Sequence, residues 1–183
     1  MELQLALRNS WRNMIVNKII FLDIDGVLNS NSFTDNDEFI DLFCKVHDGS
    51  MKDIVAYKML EVSMDKIFLL RDICTMTGAK IVISSGWRRL WNWPLLEEKL
   101  VSLGLPIVGV TPHIDGIRRG EEIRTYLWNQ ILLEDKVDNF VILDDDIFPD
   151  FNELENYLIK TSFYEDGLTE EISNDVVRIL RRV

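Results

Sequence analysis

The chain has 183 residues, of which 47% are hydrophobic and 10% aromatic, which is enough for one substantial core but not for two full-sized ones. Its net charge of −11 opposes binding along an extended nucleic-acid backbone, although a local basic pocket is compatible with that charge. Cys44 and Cys74 form no CxxC pair, so neither a zinc motif nor a redox motif is indicated, and a reducing cytoplasm is expected.

The N-terminal segment is mixed in character and predicts a short helix over residues 2–15. Charges at Glu2, Arg8, Arg12 and Lys18 interrupt its apolar residues, which argues against a signal peptide. No apolar run in the chain is long enough to span a membrane. The sequence therefore predicts a cytoplasmic protein without a membrane partner.

The first predicted strand, Ile19–Leu22, is a compact apolar run that ends in an acidic loop, which is typical of a strand buried on both faces of a parallel sheet. The next segment, Asn29–Val62, begins with polar residues and has no regular period. We expect it to form a loop and a small insertion over the strand ends, where a flap would lie.

The rest of the chain alternates helical and strand patterns. In order, these are a helix over Met64–Met76 with Gly78 as its C-cap, a strand over Lys80–Ile83, a helix over Leu95–Leu103, a weaker strand over Leu105–Val110, a helix over Gly120–Leu133, a strand over Phe140–Leu143 and a helix over about 168–182. This order predicts one α/β domain, residues 1–183, with a doubly wound, mostly parallel, Rossmann-like sheet and a core over about 19–165.

Two carboxylates, Asp23 and Asp25, stand one residue apart after the first strand and are followed by Gly26. Residues i and i+2 of an extended segment point the same way, so both carboxylates can face one ligand. Two like charges this close repel unless a cation lies between them, and Mg²⁺ prefers such oxygen ligands. An ordinary acidic turn after a strand is the alternative explanation for this pattern alone.

Polar residues at other predicted strand ends favour a functional site over an ordinary acidic turn. Four motifs occur in order at predicted strand ends or helix starts, namely FLDIDGV, IVISSGWR, GIRRGEEI and FVILDDD. In these four motifs the chain resembles the haloacid dehalogenase (HAD) superfamily of phosphatases, over roughly residues 19–165. It is most similar to the HAD domains of RNA-repair (Swiss Army Knife) proteins and polynucleotide kinase-phosphatases, which its tail TSFYEDGLTEEI also resembles.

The resemblance implies a Mg²⁺-dependent phosphatase in which Asp23 attacks phosphorus and forms an aspartyl-phosphate. Asp25 would protonate the leaving oxygen and then activate water. Ser84 would bind a phosphoryl oxygen, and Arg119 would neutralise the charge of the transferring group. The implied metal ligands are Asp23, Asp25, Asp144 and Asp145, whereas Asp146 reads as an N-cap.

Several assignments stay open between neighbouring residues. Ser85, followed by Gly86, is an alternative to Ser84 as the phosphate contact, because strand ends are uncertain by one or two residues. Arg118 is the alternative to Arg119. Arg88 lies where the similar phosphatases hold the phosphate with an arginine, and a solvated helix start explains it equally well.

Tryptophans and histidines give weaker signals. Trp87, Trp91 and Trp93 lie near the predicted phosphate site, where one of them could stack on a base, although clustered tryptophans more often pack a helix against its neighbours. His47 and His113 have no partner spaced for zinc and are expected at the surface.

The substrate is not specified by the motifs. A terminal phosphate on a nucleotide or nucleic acid, without extended duplex binding, is one hypothesis, and a sugar or other small-metabolite phosphate is another. A catalytically silent HAD-like binding module would require a lost motif residue, and none is missing. A phosphorylatable receiver module places its acidic residues in a different order. Nothing in the sequence specifies an oligomeric state.

Overall fold

The computed structural model describes residues 17–35, 44, 58–59, 61–113, 115–116 and 118–182. The helix predicted for residues 2–15 and His47 lie outside these residues. The predicted flap over 29–62 is described only in part, so its role, like the single-domain organisation, stays a prediction.

Within the described residues, five strands form one parallel sheet, and the apolar runs predict four of them. The strands are β1 (Lys18–Leu22), β2 (Lys80–Ile83), β3 (Ile107–Val110), β4 (Asn139–Asp144) and β5 (Leu158–Lys160). Their spatial order is β3-β2-β1-β4-β5, with every neighbouring pair parallel. β1 is therefore central, which buries the run Ile19–Leu22 on both faces.

Helices connect the strands and cover both faces of the sheet. They are α1 (Asn31–Thr34), α2 (Met64–Thr77), α3 (Trp93–Ser102), α4 (Arg119–Leu132) and α5 (Glu170–Leu180), with short 3₁₀-helices over Gly86–Arg89 and Asn152–Tyr157. Gly78 caps α2 in the left-handed conformation, at φ 72°, and its N–H donates to the Cys74 carbonyl, as predicted. No helix in this described part of the chain is long and apolar enough to cross a membrane.

The alternation of side chains along β1 divides the core into two clusters. Ile20 and Leu22 pack on the face that α2, α3 and α5 cover. Ile19 and Phe21 pack on the opposite face, against Ile123 of α4 and other residues. The doubly wound, Rossmann-like α/β architecture predicted from the sequence is confirmed by this layering.

Several details differ from the sequence prediction, among them the short helix α1 in the segment predicted as a loop and the start of α3 at Trp93 instead of Leu95. The strand β5 was not expected, because three residues of mixed burial give no periodic signal. The assignment of Asp146 as an N-cap is wrong, because no helix begins there and its N–H donates to the Asp144 carboxylate at 3.0 Å instead.

Candidate active site

The carboxyl ends of the strands form one row of polar residues. The ladder of backbone hydrogen bonds continues one residue past the strands, with Asp23 N–H donating to Leu143 O, Ser84 N–H to Leu22 O and Thr161 N–H to Asp144 O, at 2.7–3.0 Å. This continuation fixes the backbone of Asp23 between Ser84 and Asp144. In an open α/β sheet this edge is where ligands bind.

Asp23, the predicted nucleophile, is almost buried, with 7% of its surface exposed. Its Oδ1 accepts a hydrogen bond from the N–H of Ile24 at 2.7 Å, and the nearby side chain of Ser85 lowers the pKa of the carboxyl group. Burial raises the pKa of Asp23, while Arg119 and these two contacts act in the opposite direction. One carboxylate is thus held in a fixed orientation at the centre of the edge.

Arg119, the first residue of α4, places its guanidinium between two strand ends. Its Nη1 donates to Asp144 Oδ2 at 2.9 Å and to the carbonyl of Ser84, and lies 3.4 Å from Asp23 Oδ2. Burial alone would lower the pKa of Arg119, but the carboxylates of Asp23 and Asp144 raise it above its ordinary value. Its cationic form is therefore secured.

Three carboxylates gather beside this guanidinium. Asp23, Asp144 and Asp145 can each offer one oxygen within 4.8 Å of the others. Burial, followed by the charge of Asp23, raises the pKa of Asp144 to about 7 and also raises that of Asp145. When all three carboxylates are ionised, the one guanidinium leaves two negative charges uncompensated, which matches a divalent cation with a preference for oxygen ligands.

Asp25, which the sequence resemblance also places among the metal ligands, is not in this group of described residues. Its side chain is held elsewhere, because Oδ1 accepts from the Asn29 amide at 3.0 Å and Oδ2 from the Trp87 indole N–H at 2.9 Å. Asn29 also accepts from the N–H of Gly26 at 2.8 Å, which closes the loop. Asp25 is exposed, so it faces solvent with both oxygens oriented.

The two serines after β2 have different surroundings. The side chain of Ser85 lies near Asp23, whose pKa it lowers, and its Oγ accepts from the backbone N–H of Trp87 at 3.3 Å. Ser84 contributes its backbone carbonyl to Arg119, whereas its buried Oγ has no hydrogen-bond partner among the described residues. Ser85 therefore lies beside Asp23, and the phosphate contact stays open between the two serines.

The three arginines predicted near the phosphate also differ in their surroundings. Arg119 reaches the carboxylates, while Arg118 is exposed at the start of α4. Arg88 forms a buried ion pair with Glu122 and also donates to the carbonyl of Ser85. A solvated helix start is therefore the wrong explanation for Arg88, whose side chain is only 6% exposed.

Of the three tryptophans, two are unable to offer a free ring face in this conformation. Trp87 and Trp93 are buried, at 4% and 7% exposure, and the amine of Lys58 lies 4.6 Å from the Trp87 ring centre. Trp91 is 78% exposed. The stacking hypothesis is thereby restricted to Trp91, and Trp87 acts as a hydrogen-bond donor instead.

The tail segment 161–168 packs against the loop that follows β1. The N–H of Asn31 donates to Phe163 O at 2.8 Å and that of Leu168 to Val27 O at 2.9 Å. The buried amine of Lys66 donates to the Asp166 carbonyl. These contacts fix the turn that carries Asp25 and Asn29, which gives a structural reason for the resemblance of the tail to the similar HAD domains.

Sequence reasoning missed Asn29 and the new role of Trp87. Asn29 is the last residue of the string DIDGVLN, four residues after Asp25. A short polar side chain in a tight loop often bonds to nearby loop residues, and this was the available sign of its role. The bond between Trp87 and Asp25 joins residues 62 positions apart and has no local signature.

Comparison with known families agrees with this geometry. A family model described as the HAD domain in Swiss Army Knife RNA repair proteins matches residues 19–172. The match covers most of the 183 residues, so the chain belongs to this family, and the resemblance inferred from the motifs is confirmed. No curated protein and no solved structure matches the chain. The family supports phosphohydrolase chemistry and the use of a divalent metal in general terms.

Gly26→Ala tests the acidic group, because Gly26 has φ 66° and an added Cβ would overlap the Asp145 side chain. Displacing one carboxylate should weaken the binding of Mg²⁺ by about tenfold or more, measured as the Mg²⁺ dependence of the melting temperature. Gly78→Ala is the matched control, since Gly78 has a similar φ of 72° but no atom within 4 Å of the added Cβ. Equal Mg²⁺ dependence in the two variants would contradict the metal assignment.

Proposed function

We propose that this HAD-family chain is a Mg²⁺-dependent phosphatase that acts through an aspartyl-phosphate on Asp23. The observation that carries the proposal is the contact of the Arg119 guanidinium with Asp23 and Asp144, 3.4 and 2.9 Å away. One bound phosphate group could therefore contact the nucleophile, the Arg119 cation and the acidic group that would bind the metal at the same time. Each motif residue that a silent binding module would have lost is present, which favours turnover.

In the first step, an oxygen of Asp23 attacks phosphorus and the bond to the leaving oxygen breaks, while Asp25 gives that oxygen its proton. In the second step, Asp25 takes a proton from water as the water oxygen attacks phosphorus. Inorganic phosphate leaves and the Asp23 carboxylate is restored. Ser85 donates to a phosphoryl oxygen, and Arg119 neutralises the charge on the other oxygens.

Asp23, Asp144 and Asp145 would hold the metal. When bound, Mg²⁺ neutralises the carboxylates and the transferring phosphoryl group, and so lowers the repulsion between nucleophile and substrate. The proposed role of Asp25 is acid and base only, because Asn29 and Trp87 already orient both of its oxygens.

The proposed substrate is a terminal phosphate on a nucleotide or nucleic-acid end. The family's description in RNA repair proteins supports this choice. The protein's net charge of −11 supports contact with only the end of a nucleic acid, since a long duplex would be repelled. A small-metabolite phosphate is the alternative, and comparison of the two substrate classes separates them. We also propose a cytoplasmic location, which the free Cys44 and Cys74 support.

Asp23→Asn tests the nucleophile. The amide keeps the side-chain shape but removes the attacking oxygen and a metal ligand, so hydrolysis of an aryl phosphate should fall by at least about a thousandfold. Asp146→Asn is the matched control at the same sheet edge, because Asp146 is exposed and outside the acidic group. If Asp23→Asn released phosphate with Mg²⁺ at the rate of the wild type, this result would contradict the proposal.

Trp87→Phe tests whether the indole positions Asp25. The change keeps an aromatic ring but removes the N–H, so proton donation to the leaving group should weaken. We expect kcat/KM for alkyl phosphates to fall roughly tenfold more than kcat/KM for aryl phosphates with good leaving groups. Trp128→Phe, on the exposed side of α4, is the control. An equal fall for both substrates would mean that Trp87 contributes packing alone.

A further inference from the structure

A cavity of about 270 Å³ adjoins the nucleophile site. Its lining includes Arg88, Arg89, His113, Arg118, Arg119 and Phe148. Arg119 separates the cavity from the candidate active site, because it lines the cavity and also contacts Asp23. Asp23 itself does not line the cavity. A group bound in the cavity would therefore be separated from the transferring phosphate by one guanidinium.

The charges around the cavity do not cancel. The charge of Arg88 is neutralised by Glu122, and that of Arg119 by Asp23 and Asp144. Arg89 and Arg118 are exposed, and neither has an ion-pair partner among the residues that the structure describes. Two uncompensated cations in a chain of net charge −11 form a local site for an anion.

The buried part of the cavity wall is built from a connected set of side chains. Glu122 is 4% exposed, and its two oxygens contact Arg88 and His113, the latter at 3.2 Å. The second ring nitrogen of His113 lies 3.3 Å from the exposed carboxylate of Asp115. Glu122 is thus paired with Arg88, whereas Asp115 is fully exposed and does not line the cavity, so solvent screens its charge.

Arg88 has donor capacity that the protein does not use. Its side chain is 6% exposed, yet its Nε has no hydrogen-bond partner among the described residues. A buried, unpaired donor is costly, so the protein itself does not fully satisfy this guanidinium. Burial lowers the pKa of Arg88, Glu122 raises it, and the nearby cations of Arg119 and Arg89 lower it further. An anion would relieve this repulsion.

We propose that the cavity binds a second phosphate or phosphodiester of the same substrate, with Arg89 and Arg118 as its main contacts. This inference rests on the proposed phosphatase function and specifies its substrate class. Guanidinium groups bind phosphate oxygens in a forked geometry, and the excess of two positive charges matches one such group.

The small size of the cavity limits what the second group can be. About 270 Å³ accommodates a phosphate with part of a sugar, but not a second nucleic-acid strand. A substrate with two phosphates joined through one sugar fits, as at the end of an oligonucleotide. A sugar monophosphate would leave Arg89 and Arg118 without a partner.

The test compares adenosine 3′,5′-bisphosphate with the 3′- and the 5′-monophosphate, with Mg²⁺ present and the products separated by chromatography. The wild type should show kcat/KM for the bisphosphate at least about tenfold above the better monophosphate, through a lower KM. The double variant Arg89→Gln and Arg118→Gln should bring this preference ratio close to one.

The matched control removes two arginines on the opposite side of the sheet from α4, namely Arg71 on α2, which is partly exposed, and Arg178 on α5, which is exposed. Arg71→Gln with Arg178→Gln changes the net charge equally and should keep the wild-type preference ratio. A ratio near one in the wild type, or an unchanged ratio in the Arg89 and Arg118 variant, would overturn the proposal.

Failure of the proposed function has a separate signature. If the wild type hydrolyses no phosphomonoester, including an aryl phosphate, the phosphatase proposal fails, and calorimetric binding of the same three nucleotides then tests the cavity. Tighter binding of the bisphosphate, lost in the Arg89 and Arg118 variant, would support the anion site. Equal binding of all three nucleotides would reject it.

Discussion

The guanidinium of Arg119 lies between the carboxylates of Asp23 and Asp144, which come from neighbouring parallel strands. Without this cation, three buried or half-buried carboxylates would face one another at the sheet edge, and burial would favour their neutral forms. Arg119 begins α4, and its Nη1 also donates to the Ser84 carbonyl, so one side chain ties a helix to the ends of three strands. The orientation of the Asp23 and Asp144 carboxylates and one wall of the adjoining cavity depend on this contact.

A second network connects the proposed chemical groups through hydrogen bonds. Ser85 lies near Asp23 and caps the turn at Trp87, whose indole N–H orients Asp25. Asn29 holds the other oxygen of Asp25, and the tail segment 161–168 packs against this loop. The proposed acid and the proposed nucleophile are therefore positioned by the same small set of contacts, which is the preorganisation that phosphoryl transfer requires.

Continuous apolar runs made the central strands predictable, because a strand buried on both faces needs apolar residues throughout, as in Ile19–Leu22. Asp23 and Asp144 were predictable for the same reason, since each lies at or just after the end of such a run. Contacts between distant residues left no local pattern. Trp87 reads as a packing or stacking residue until its indole is found on Asp25, and Glu122 reads as an ordinary acid in the first turn of a helix until it is found buried against Arg88. The choice between Ser84 and Ser85 could not be made either, because side-chain alternation is not reliable beyond the last strand residue.

The central claim is that Asp23 carries the phosphoryl group between the two steps of the reaction. Asp25→Asn should slow the attack of water and so prolong the phosphoenzyme formed from an aryl phosphate with a good leaving group. The most direct measurement is mass spectrometry of the peptide containing Asp23 after this variant is quenched during turnover with Mg²⁺. The account predicts a phosphoryl adduct on Asp23 that is absent without substrate. An adduct on another residue, or steady turnover with no adduct on Asp23, would contradict it.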